Sequence, residues 1–247
     1  ARTDQREDQF QWVGPLASIK WTLFGAPDSD ITLDSLEDAR DLRIAGYKGD
    51  VIKRYFMHYA DTVSDLKVDL SGGTTERRGK LREDWKIELV DTGQDTMTGG
   101  RLKRLREHLD DAFIFTYGDG LSTVDISKLI QFHRSHGKLA TVTAVRPPSK
   151  FGILQLNGSR VTKFAEKPAD AASYINGGFF VVEPEAIDRI DGDATPWERD
   201  PCESLASDGQ LEAYVHDGYW QCVDTLHELR LLRNAWNNGE APWKIWR

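Results

Sequence analysis

From Leu42 to the C-terminus, short apolar runs alternate with stretches of helical period, and a chain patterned this way is confined to α/β architectures. Leu42-Arg43-Ile44 leads into AGYKGD (45–50), after which Val51, Ile52, Tyr55, Phe56 and Tyr59 recur at helical spacing. DLKVDL (65–70) and WKIELVDT (85–92) are predicted strands, followed by a helix over GGRLKRLREHL (99–109). A strand over 112–116 ends in the turn Gly118-Asp119-Gly120, and Ile126, Leu129, Ile130 and His133 carry the next helix. Further strands are predicted at 140–145, 152–156, 160–167 and 176–182, with a short helix from Pro184. Asp200-Pro201-Cys202-Glu203 offers a cap, a proline at N1 and an acid at N3, so a helix should start there and end near Gly209. A last helix should start near Asp224 or Thr225.

Residues 1–40 break this pattern. Asp, Glu, Arg and Gln dominate the first ten, and only SIKWTLF (18–24) could form a strand, so partial disorder is expected there and one domain over 41–247. A net charge of −8 argues against a general nucleic-acid binder, and no apolar run reaches the length of a membrane span. Cys202 and Cys222 form no CxxC pattern, and the N-terminus has no secretory signal, which together point to reduced thiols in the cytoplasm. The six histidines show no HExxH or other metal spacing. Trp236, Trp243 and Trp246 fit packing or a subunit contact better than base binding.

Why should a buried strand end in one aspartate between two glycines? In open α/β sheets, ligands bind beyond the carboxyl ends of strands, so Asp119 would project into the site. A carboxylate there suits Mg²⁺, which is commonly held by one or two carboxylates plus substrate phosphates. The glycines would permit unusual dihedrals and close ligand approach, although Gly-Asp-Gly is also ordinary turn chemistry. Asp224 in YWQCVDT ends another apolar run, where it could face the same crevice or merely cap the helix after it.

DTGQDTMTGGRLKR (91–104) supplies the cationic complement. Gly99-Gly100 at a helix start could present backbone N–H groups to an anion, and Arg101 could take a phosphate in bidentate fashion. The bland reading is a solvated face of Arg101, Lys103, Arg104 and Arg106. No P-loop is present. In FAEKP (164–168) and NGGFF (176–180), Glu166 could bind sugar hydroxyls, Lys167 a sugar phosphate, and Asn176 either one; ordinary loop and turn chemistry would also account for them.

Taken in order, VDTGQDTMTGGRLKR, FTYGDG, FGIL, FAEKP, INGGFF and YWQCVDTL resemble the sugar nucleotidyltransferases, and among them the glucose-1-phosphate cytidylyltransferases, from about residue 45 to the C-terminus. The resemblance implies a Rossmann-like α/β fold with a central mixed, mostly parallel sheet flanked by helices. It implies transfer of a cytidylyl group from CTP to glucose 1-phosphate with Mg²⁺, giving CDP-glucose for surface polysaccharides and pyrophosphate. Asp119 and Asp224 would hold the metal. Thr96, Arg101 and Gly118 would contact nucleotide or substrate, with Arg101 at the reacting centre, and Glu166, Lys167 and Asn176 would hold the sugar phosphate. A homo-oligomer is also implied.

The family opens with a strand and an LAGGxGTRL loop, followed by a KPKPM segment, and residues 1–40 contain neither GGxGxR nor a Lys-Pro pair. Removing one preorganised donor costs roughly 2.7 to 4 kcal/mol of transition-state stabilisation, so weak or absent catalysis is expected. The alternative is an inactive truncated homologue that binds sugar phosphate or assembles with intact subunits. A glycosyltransferase ranks last, because no DxD pair ends the strand.

Overall fold

A computed structural model describes residues 21–25, 41–46, 49–79, 86–147, 153–157, 159–165 and 174–244. The disorder expected over 1–40 falls outside the described residues, apart from a strand β1 at Trp21–Gly25. Two strands follow in the same sheet: β2 (Asp41–Gly46) and β5 (Lys86–Leu89), with order β1-β2-β5. β1 runs antiparallel to β2, whereas β2 and β5 are parallel, joined through helix α1 (Gly49–Val63) and an exposed hairpin of β3 (Asp65–Asp69) and β4 (Thr74–Arg78). The edge of SIKWTLF expected to be a strand therefore does enter the sheet, and it lies alongside β6 (Phe113–Thr116).

β6 belongs to a four-stranded sheet of order β12-β8-β11-β6, where β8 is Ala140–Val145, β11 Ile175–Val182 and β12 Leu211–His216. β11 is antiparallel to both β6 and β8, and β12 is parallel to β8. The sheet is thus mixed, with β11 reversed among three strands that run together. Two further ladders complete the strands: β9 (Ile153–Asn157) with β10 (Arg160–Ala165), and β7 (Gly120–Ser122) with β13 (Trp220–Cys222).

Alternation along β11 sorts the core into two layers. Phe180 and Val182 join Leu102, Leu105 and Trp197 on one face, while Val181 meets Leu129 and Ile130 of helix α3 (Ile126–His136) on the other. Phe180 faces Phe115 across the ladder, with rings stacked at 4.5 Å, and Trp197 stands edge-on to both at 5.6 and 6.1 Å. Each such ring contributes roughly 1.5 to 3 kcal/mol of burial. The first layer is closed by helix α2 (Thr98–Arg104), a 3₁₀ turn at Pro184–Arg189 and helix α4 (Asp200–Ser207).

Local signals explain the boundaries. Asp125 caps α3 by accepting from the Lys128 amide, and Gly137 ends it in the left-handed region at φ 64°. The helix expected over 99–109 is shorter: it stops at Arg104 and passes into a 3₁₀ turn at Arg106–His108. At α4 the expected Asp200 cap is not used. Arg199 occupies that position without a side-chain cap bond, and Asp200 is already helical. The final helix, α5 (Leu226–Asn237), starts with a capping box in which Thr225 accepts from the Glu228 amide and Glu228 reaches back to Thr225.

Candidate active site

The two aspartates are brought together by the β7–β13 ladder. Cys222 stands opposite Gly120, and one rung further the Val223 amide donates to the Asp119 carbonyl oxygen at 2.8 Å. Asp224 is the next residue in the chain. Its backbone amide donates to Glu228 Oε2 at 2.9 Å, and its Oδ2 accepts from Cys222 Sγ at 3.1 Å. Because Thr225 is the helix cap, Asp224 is not spent on capping α5, which sets aside the bland reading of that residue. Asp119 is half-buried, whereas Asp224 and Gly118 are exposed.

β13 also reaches β11: Trp220 Nε1 donates to the Gly177 carbonyl at 2.8 Å, next to Asn176. Asp119, Asp224 and Asn176 are therefore carried by neighbouring strand ends. The expected dihedral role of Gly118 and Gly120 is not seen, since neither belongs to the glycines with positive φ. Gly178 does, at φ 81°, and a Cβ there would lie 2.6 Å from the Tyr117 ring.

Arg101 is neither a solvated residue nor an open phosphate fork. It is 5% exposed, and its guanidinium donates to Thr92 Oγ1 (2.8 Å), the Gly93 carbonyl (2.8 Å) and the Gln94 carbonyl (3.0 Å). Burial, reinforced by Arg104, lowers its pKa from the ordinary value, against the pull of Asp91. Arg101 thus fastens residues 92–94 of the 90–97 loop, within which Thr96 is also buried.

The α2 N-terminus is likewise closed to anions. Gly100 N donates to the Thr195 carbonyl at 3.2 Å and Met97 N to Asp193 O at 2.8 Å. The two glycines serve this contact, since a Cβ on Gly99 would stand 2.6 Å from Thr195 O and one on Gly100 2.5 Å from Asp193 O. Two other cations bind the 190–193 segment: Lys103 Nζ donates to Ile190 O and Asp191 O, and Arg104 Nε pairs with Asp193 at 2.9 Å. What remains open beside this loop is a cleft of about 350 Å³ lined by Gly49, Asp50, Lys53, Val90, Asp91 and Gln94, with Gly93.

Sequence patterning missed the side chains that join these parts. The Tyr117 hydroxyl donates to Glu198 Oε1 and accepts from Asn176 Nδ2 at 3.3 Å. Glu198 Oε2 accepts from the Thr98 hydroxyl at 2.7 Å. Burial, then the Glu198 charge, push the Tyr117 phenol far above its ordinary pKa. The aromatic immediately before GDG was the available signal. Glu166 and Lys167 lie outside the described residues.

For a divalent cation the donor chemistry fits. Among the described residues no group of three or more His, Cys, Asp or Glu is arranged to hold a metal ion, so a soft or fully caged site is not built here. Two carboxylates carried by adjacent strand ends would be a donor set suited to Mg²⁺ that completes its shell with phosphate and water.

The chain belongs to the nucleotidyl transferase family, which matches residues 92–235. It is 49% identical over 203 residues to the glucose-1-phosphate cytidylyltransferase of Salmonella typhimurium, covering 81% of this chain and 79% of that one. It is also 38% identical over 205 residues to the probable glucose-1-phosphate cytidylyltransferase of Bacillus subtilis, covering 82% and 80%. In fold it is similar to a putative glucose-1-phosphate thymidylyltransferase from Bacillus anthracis, with TM-score 0.53 at 16% identity over 85% of this chain and 80% of that one. No helix among the described residues is long and apolar enough to cross a membrane.

Proposed function

We propose that this chain transfers a cytidylyl group from CTP to glucose 1-phosphate, releasing pyrophosphate and CDP-glucose. The observation that carries the reading is the rung joining Asp119 to Val223, the residue before Asp224, in a chain 49% identical over 203 residues to a cytidylyltransferase. On this reading Asp119 and Asp224 hold Mg²⁺, which when bound neutralises phosphate charge in the transition state. Asn176 and Gly118 meet the sugar phosphate and nucleotide, with Glu166 and Lys167 assigned to the sugar phosphate by resemblance. Arg101 acts at the reacting centre through the loop it fastens, and Thr96 belongs to the same loop. The sugar phosphate oxygen attacks the α-phosphorus in line, and no covalent enzyme intermediate is needed.

Cys202 and Cys222 form no disulfide with each other, which supports a reducing, cytoplasmic setting. Exposed apolar side chains on α1 (Tyr55, Met57) and on the hairpin (Leu66, Val68) support assembly into a homo-oligomer. Incubation with CTP, glucose 1-phosphate and Mg²⁺ should yield CDP-glucose and pyrophosphate in equal amounts. Glucose 1-phosphate binding without any CDP-glucose would replace the enzyme with a binding homologue.

A further inference from the structure

Glu198 lies on the 193–199 segment, outside the residues that carry the proposed chemistry, yet hydrogen bonds link it to both sides of the site. One oxygen accepts from the Tyr117 hydroxyl and the other from Thr98, whose own oxygen accepts the Trp197 amide at 2.9 Å. Proton direction along this chain is determined. A phenol has one hydrogen, and the carboxylate can only accept it, so the Tyr117 oxygen is left as acceptor for Asn176 Nδ2. Asn176 Oδ1 is in turn held by the Gly178 amide at 2.8 Å. The amide of Asn176 is thereby fixed in one orientation at an exposed position.

The Tyr117 ring is itself confined. It stands edge-on to Phe115 and Phe180 at 6.3 and 6.2 Å, and its backbone amide donates to Gly178 O at 3.3 Å. A ring held this firmly transmits the Glu198 carboxylate's preference to Asn176 as geometry.

We propose that Glu198 and Tyr117 are positioning residues that set the amide of Asn176 for the sugar phosphate; this rests on the assignment of Asn176 made above. Neither touches the reacting atoms. Their effect is exerted through one side-chain amide, so it should fall on glucose 1-phosphate and spare CTP.

The test uses the full chain with Tyr117→Phe, Glu198→Gln and Thr98→Val. The Asn176 side-chain amide resonance, assigned by its loss in Asn176→Asp, should shift and exchange faster with solvent in the first two variants and stay nearly unchanged in Thr98→Val. This readout needs no turnover, so it decides the proposal even if the wild type releases no pyrophosphate and the cytidylyltransferase reading fails. In an active enzyme, Tyr117→Phe and Glu198→Gln should each raise KM for glucose 1-phosphate roughly tenfold, the scale of one hydrogen bond to a charged group, and leave KM for CTP within about twofold. An unmoved Asn176 resonance in Glu198→Gln, or parallel rises in both KM values, would overturn it.

Discussion

Nη1 of Arg101 donates to the Thr92 hydroxyl at 2.8 Å inside the protein, while the same guanidinium holds the Gly93 and Gln94 carbonyls. Substituting Arg101→Ala leaves these acceptors without their donor in a partly buried loop and should cost about 1 to 3 kcal/mol of stability. Arg101→Lys should recover only part, because an ammonium cannot span three acceptors that a planar fork reaches. Urea unfolding of both variants checks the order wild type, Lys, Ala.

Gly100 and Gly49 both sit in the first turns of helices, but their surroundings differ. A Cβ on Gly100 would meet Asp193 O at 2.5 Å, whereas one on Gly49 meets nothing within 4 Å. Gly100→Ala should therefore destabilise by about 1 to 3 kcal/mol or more through forced displacement of backbone. Gly49→Ala should be neutral or slightly stabilising. Thermal unfolding of the pair separates a packing glycine from one that could be replaced.

Period and turn chemistry made most of the fold legible. β8 appears over the predicted 140–145, β11 starts one residue before its predicted limit, and α3 carries the four residues expected of it, since their apolar faces are regular. β4 went unseen because TTERR is fully exposed and carries no apolar alternation, and β7 because a three-residue strand has no period. The Asp119–Asp224 pair was legible as two strand ends, but their meeting is a property of the β7–β13 ladder. Arg101 was misjudged in both directions: a basic run on a helix looks solvated, and only the path of the 92–94 loop shows the arginine folded beneath it.

His136 gives the fold a pH dependence. Its Nδ1 accepts the Lys138 amide at 3.0 Å, so the neutral ring carries its hydrogen on Nε2, which donates to Thr141 Oγ1 at 2.7 Å. Protonating Nδ1 breaks the first of these bonds. Burial, then the facing His133, with Lys138 adding and Glu212 opposing, lowers the His136 pKa below its ordinary 6.5. The unfolded chain then takes up the proton first as pH falls, so stability is fully present above about 6.5 and declines below it. The urea midpoint should drop between pH 7 and 5.5, and His136→Gln should flatten that slope.

Cys202 should be a slow nucleophile. Burial, with the charges of Glu198 and Glu203, pushes its thiol up to about 12, so the thiolate is scarce at pH 8. Brief iodoacetamide treatment of the native protein should leave Cys202 almost unmodified, and treatment in urea should label it fully. Peptide mass spectrometry distinguishes the two.

The central claim is that Asp119 and Asp224 act on one divalent ion, as their adjacent strand ends suggest. Pyrophosphate release from CTP and glucose 1-phosphate, followed in Asp119→Asn, Asp224→Asn and the double variant, tests it most directly. Groups that act as a unit are strongly non-additive. Each single variant should lose nearly all Mg²⁺-dependent activity, and the double variant should be scarcely worse. Additive losses, or a single variant that retains Mg²⁺-dependent release at the wild-type rate, would contradict it.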